Sequence, residues 1–104
     1  MLLRSARHAA QAQRLLDDLG RLDLEQVGSP PGIAALQNLS RDRQANAVRY
    51  WLRTSAGVAP SAAQLDELLD QVAHCTTRGH AIRLKVAGGF VSRAGDRLFF
   101  GPPI

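Results

Sequence analysis

Between Ser40 and Gly57 the chain runs for sixteen residues without a glycine or a proline, and this stretch limits the fold more than any other. Ser40 carries a hydroxyl able to accept from the backbone amides that a helix start leaves unpaired, and Gly57 is the residue type that ends a helix. Inside those limits Ala45, Val48, Trp51 and Leu52 fall at i, i+3, i+6 and i+7, the spacing of one buried stripe. Asp42, Asn46, Arg49 and Arg53 form the opposite row. Arg49 and Arg53 are like charges one turn apart, which costs an isolated helix roughly 0.2 to 0.5 kcal/mol, so a source of negative charge is expected beyond the helix itself.

That row has two physical uses. Arginine stems cover apolar surface while their heads stay solvated. The planar guanidinium also grips phosphate oxygens in pairs and stacks on bases as lysine does not. Twelve of the thirteen basic side chains here are Arg.

The remaining elements follow from period and punctuation. Residues 2 to 26 read as one amphipathic helix with Leu2, Ala6, Ala9, Ala12 or Gln13, Leu16, Leu19 and Leu22 on its inner side, weakened by Gly20. Gly28-Ser-Pro-Pro-Gly32 breaks it, because tandem prolines remove two donors and favour extended backbone before them. A connector from Ile33 to Leu39 follows. Ser61 caps a third helix whose stripe is Leu65, Leu68, Leu69 and Val72, with Asp66 and Glu67 near its start, and Thr76 to Gly79 forms its exit loop. The period then drops to two. Ala81 to Val86, Phe90 to Arg93 and Arg97 to Phe100 read as a meander turning at Gly88-Gly89 and at Ala94 to Asp96. The expected architecture is α+β, about three helices packed on a small antiparallel sheet whose other face, bearing Arg83 and Lys85, is basic and wet.

Length and charge narrow the function. With 104 residues and 45% hydrophobic content the chain suits one small domain with little apolar surface to spare for a deep catalytic cavity. A net charge of +4 favours an anionic partner. It is unevenly spread: residues 28 to 60 carry +3, residues 61 to 75 carry −3 and residues 76 to 104 carry +4. If the fold joins the two positive blocks, Arg43, Arg49, Arg53, Arg83, Lys85, Arg93 and Arg97 make one RNA-binding patch.

Catalytic and metal chemistry find no footing. There is no P-loop and no GxGxxG, the Ser and His residues form no nucleophile and base pair, and Asp17-Asp18 and Asp66/Asp70 read as solvated surface. Cys75 is the one cysteine, and His8, His74 and His80 lack the spacing of a zinc site, so neither a disulfide nor a metal is expected. No apolar run approaches the roughly 20 residues of a membrane span. The first sixteen residues hold three arginines and no acid, as an organellar presequence would, yet their helical pattern continues unbroken into Asp17, Asp18 and Leu19.

The chain resembles the region that follows the catalytic domain in bacterial tRNA(Ile)-lysidine synthases. Leu3-Arg4-Ser5-Ala6 with Leu15-Leu16-Asp17-Asp18 is similar to the family's long linking helix. Leu39-Ser40 with Arg43, Asn46, Arg49, Trp51 and Leu52 resembles its Leu-Ser-x-x-Arg…Arg-x-Trp-Leu motif. Pro60-Ser61…Leu65 resembles its next helix start, and Arg83-Leu84 through Arg97-Leu98 its closing basic hairpin. The resemblance implies a cytoplasmic ligase that adenylates the wobble cytidine of tRNA(Ile) with ATP and Mg²⁺ and then attaches lysine. The family's Ser-Gly-Gly-x-Asp-Ser nucleotide loop has no counterpart here, so no catalytic residue carries over and no cofactor is expected on this segment. The expected organisation is a linking helix over residues 1 to 27 and a tRNA-positioning domain over 28 to 104. Met1 leading into a helix and the ending Gly101-Pro-Pro-Ile104 read as an excised piece, with the N-terminal catalytic domain as intramolecular partner. The alternative is a structural spacer of the same enzyme with little RNA contact, its arginines serving solubility and internal salt bridges. A free-standing small regulator is a third reading.

Overall fold

A computed structural model describes residues 2–76 and 80–102, with side chains from Ala6 onward. Four helices precede a three-stranded sheet: α1 Leu2–Val27, α2 Ile33–Gln37, α3 Arg41–Ala56, α4 Ala62–Ala73, β1 Arg83–Val86, β2 Gly89–Ala94 and β3 Arg97–Gly101. The strands pair antiparallel in the order β1-β2-β3. This is the α+β arrangement expected from the sequence, with one more helix. That helix, α2, replaces the connector because Ile33 and Leu36 are both buried, which one helical turn achieves for residues three apart.

The caps of α3 and α4 are those the sequence indicates. Ser40 Oγ accepts from the Arg43 amide at 3.3 Å, and Gly57 closes α3 at φ 67°, in the left-handed region where a Cβ is costly. Ser61 and Gln64 cap α4 reciprocally, each side chain bonded to the other's backbone amide, at 3.1 and 2.9 Å. On α3 the buried residues are Ala47, Val48, Trp51 and Leu52, with Ala45 half-buried. They join Leu36, Leu65, Leu68, Leu69, Val72, Val86, Val91 and Leu98 in one core.

The inner side expected for α1 is corrected by the structure. Ala6, Ala9, Ala12 and Gln13 are exposed, Leu16 and Leu22 remain 42% and 49% exposed, and Leu19 is half-buried. The buried positions are Gly20, Asp23, Leu24 and Val27, all in the last two turns. At about 1.5 Å per residue a 26-residue helix reaches roughly 39 Å. It runs past α3, its main packing partner, and the molecule measures 52 × 28 × 20 Å. The side chain of Leu2 and residues 77 to 79 of the expected exit loop lie outside the described residues.

Both sheet edges are covered. Gln71 bonds the Arg83 amide and carbonyl at 2.8 and 3.2 Å, and Gln64 bonds the Lys85 carbonyl, so α4 clips the outer edge of β1. On the far side the Gly28–Gly32 breaker lies beside β3: the Leu98 amide bonds Pro31 O and the Ile33 amide bonds Asp96 O, both at 2.9 Å. The first hairpin turns at Ala87-Gly88, one residue earlier than expected, with Val86 opposite Gly89 and Ala87 at φ 52°.

Candidate nucleic-acid interface

Residues directly opposite in an antiparallel pair share a face, so the register sorts the side chains. Arg83 faces Ser92 and Lys85 faces Phe90; across the second pair Ser92 faces Phe99 and Ala94 faces Arg97. Arg83, Lys85, Phe90, Ser92, Phe99 and Arg97 therefore lie on one side of the sheet, while Val86, Val91 and Leu98 lie on the other within the core. Arg83, Lys85 and Arg97 are exposed and Phe99 is 49% exposed. The Arg83 guanidinium lies 4.1 Å from the Phe90 ring centroid, a cation–π contact that steadies a long side chain. Among the described residues no carboxylate pairs with these three cations.

Arg93 is separated from them. It sits on the core side of β2, opposite Leu98, and its guanidinium is taken by the His80 carbonyl at 2.9 Å, the Gly95 carbonyl at 2.7 Å and Cys75 Sγ at 3.2 Å. There it pins the incoming chain to the second hairpin. Arg97 is divided between roles, because Nη1 donates to Pro30 O at 2.7 Å and ties down the breaker.

The arginine row of α3 meets the same division. Arg43 grips Asp23 with two donors, Nε at 3.2 Å and Nη2, and Asp23 is 1% exposed. That bond and the adjoining negative charge raise the Arg43 pKa. Arg53 Nη2 donates to Asp17 Oδ1 at 2.7 Å, and its guanidinium lies 5.5 Å from the Tyr50 ring. The Arg53 hydrogen bond, with a second from Gln13, holds the Asp17 carboxyl below its ordinary value. Asn46 adds a bond to Leu16 O. The face of α3 opposite Trp51 is thus largely the seat of α1, and the negative charge that Arg53 requires comes from Asp17. The Arg43 and Arg53 side chains remain 45% and 44% exposed. Arg49 is exposed and has no ion pair among the described residues.

The structure thus gathers Arg83, Lys85 and Arg97 on one sheet face, leaves Arg49 open on α3, and engages Arg43, Arg53 and Arg93 within the protein. Sequence reasoning missed four participants. Asp23 was available as an acid at the i+3 position from Gly20, but its partner lies twenty residues on. Phe90 and Phe99 were legible from the strand alternation that placed Arg83 and Lys85. Arg41, which bonds Asp70 at 2.9 Å, shows that the acidic row of α4 is paired at one end. Among the described residues no three His, Cys, Asp or Glu side chains gather in a way that would hold a metal ion, and no helix is long and apolar enough to cross a membrane.

Comparison with known proteins gives a consistent answer. A family described as TilS substrate binding domain matches residues 32–99. The chain is similar to the tRNA(Ile)-lysidine synthase of Polaromonas naphthalenivorans, 59% identical over 97 residues that cover 93% of this chain and 29% of that protein. It is similar to the enzyme of the same name from Burkholderia mallei, 42% identical over 95 residues, 84% of this chain and 18% of that protein. A third relative, from Coxiella burnetii, is 35% identical over 74 residues, 69% of this chain and 16% of its own length. The chain therefore spans less than a third of these relatives. No solved structure matches it.

Proposed function

Because the chain belongs to the TilS substrate binding domain family, we propose that it is the part of a tRNA(Ile)-lysidine synthase that holds tRNA(Ile) in register. In this reading the ligase chemistry, with ATP and lysine, belongs to a catalytic segment outside the chain. α1 acts as the link to that segment. Phosphate contacts supply affinity and register and carry little sequence information, so a basic surface suffices and an internal active site is not needed.

The observation that supports this best is the open sheet face. Arg83, Lys85 and Arg97 stand together there, and among the described residues neither they nor Arg49 on α3 have a carboxylate partner. Cations meant only for solubility need not share a face. The spacer reading has its own support in the Arg43–Asp23 and Arg53–Asp17 pairs, which use arginines of the motif helix to fix α1 on α3.

The two readings separate in a tRNA-binding measurement on the 104-residue chain. Paired reversal of Arg83 and Lys85 to Glu leaves the core untouched and is expected to abolish most of the affinity at low salt. Circular dichroism is the check that the variant folds. Affinity equal to that of the unmodified chain would discard the positioning role and leave the spacer.

A further inference from the structure

Where β3 passes the C-terminal end of α3 there is a cleft of about 260 Å³, lined by Pro30, Trp51, Ser55, Ala56, Phe99 and Phe100 among others. Three of the five aromatic side chains in the protein meet here. They come from elements almost fifty residues apart, and the cleft opens at the edge of the basic sheet face, since Phe99 lies on that face beside Arg97. We propose that this cleft seats one unpaired nucleobase of a bound RNA. The proposal rests on the RNA-positioning role and names a subsite within it.

Three features choose a base over other occupants. The volume falls just below the ~300 Å³ at which pockets begin to accept drug-sized ligands, which leaves room for one flat ring system. The walls are aromatic, and every base has a π-face that stacks on such walls whatever its sequence. The rim is positively charged. Arg97 uses Nη1 on the Pro30 carbonyl, fixing one wall of the cleft, and its other donors have no protein acceptor among the described residues. A guanidinium carries five such donors, enough to hold the wall and a neighbouring phosphate together. An apolar side chain from a protein partner would use the walls and leave the Arg97 guanidinium unanswered. The Ser55 hydroxyl, also without a protein partner among the described residues, is placed for the polar edge of a base.

Trp51 is the sole tryptophan, so its fluorescence reports on this cleft directly. The test titrates the chain with a single-stranded oligoadenylate and with a fully paired RNA duplex of equal length, following Trp51 emission and RNA anisotropy together. The expected result is quenching by the single strand and binding of the duplex without quenching. Ala56→Leu fills the cleft from an exposed helix end. It should remove the quenching and lower oligoadenylate affinity about tenfold, the scale of one lost base–aromatic stack, while duplex affinity stays the same. Phe99→Ala should lower oligoadenylate affinity to a similar degree. Binding of both RNAs with no change in Trp51 emission overturns the cleft proposal and leaves the positioning role standing. Binding of neither RNA overturns both.

Discussion

Gly20 shows how one missing side chain sets the spacing of two helices. A Cβ added there would lie 2.8 Å from Tyr50 Cβ, an atom next to the backbone that cannot swing aside. Replacing a helical glycine with alanine normally gains about 1 kcal/mol of propensity. Overpacking a close contact costs about 1 to 3 kcal/mol, so the contact wins. Gly20→Ala is expected to lower the melting temperature by several degrees, on the scale of about 4–8 °C per kcal/mol for a domain of this size. A higher melting temperature in that variant would mean that α1 and α3 are not packed at this point. None of this is visible locally in the sequence, where Gly20 reads only as a weak helix position. Its significance lies thirty residues further on, at Tyr50. Trp51, by contrast, was legible as buried from spacing alone, because a stripe that includes Val48 and Leu52 fixes its side of the helix. The structure leaves it 4% exposed.

At the scale of elements, the helices differ in how well the sequence disclosed them. α3 carries its cap, its stop and its stripe within itself, α4 its cap and its stripe, and these fold as read. α1 has an equally clear apolar period, yet Leu15, Leu16 and Leu22 stay largely exposed. Periodicity locates a stripe; it does not say how far along that stripe a partner extends. Beyond the buried Leu24 and Val27, α1 is held by a polar seam to α3, where Asp17 meets Arg53 and Asp23 meets Arg43. The seam has a pH signature. Asp17 is held below its ordinary value of 3.8, first by the Arg53 hydrogen bond. A depressed carboxylate contributes stability that is fully present above its unfolded value and is lost as pH falls through its folded value. Melting temperatures measured from about pH 5 down to about pH 2 should therefore drop less steeply in Asp17→Asn than in the unmodified chain. The difference is expected to be small, because the pair is exposed and water screens it. Superimposable profiles would show that the pair adds nothing to the attachment of α1.

For the whole molecule, what matters is how charge is divided between inside and outside uses. Sequence placed seven basic residues in two positive blocks and joined them into one surface. The fold keeps Arg83, Lys85 and Arg97 on one sheet face and Arg49 open, and spends Arg43, Arg53 and Arg93 on α1 and on the second hairpin. Arginine composition could not reveal this split, since the same guanidinium fork serves a phosphate or a buried carboxylate equally well. A salt titration measures it. Each phosphate neutralised lowers log affinity against log salt by about 0.7 to 0.9, so four cations on tRNA predict a slope of about −3, and seven a slope of about −5 to −6. The chain is expected to give the shallower value. Arg49→Glu should weaken binding and flatten the slope by about one further contact. Glu67→Lys on α4, in the acidic block, should leave the slope unchanged. A slope near −6 would mean that tRNA draws Arg43 and Arg53 away from Asp23 and Asp17 on binding, and loosening of α1 would accompany recognition.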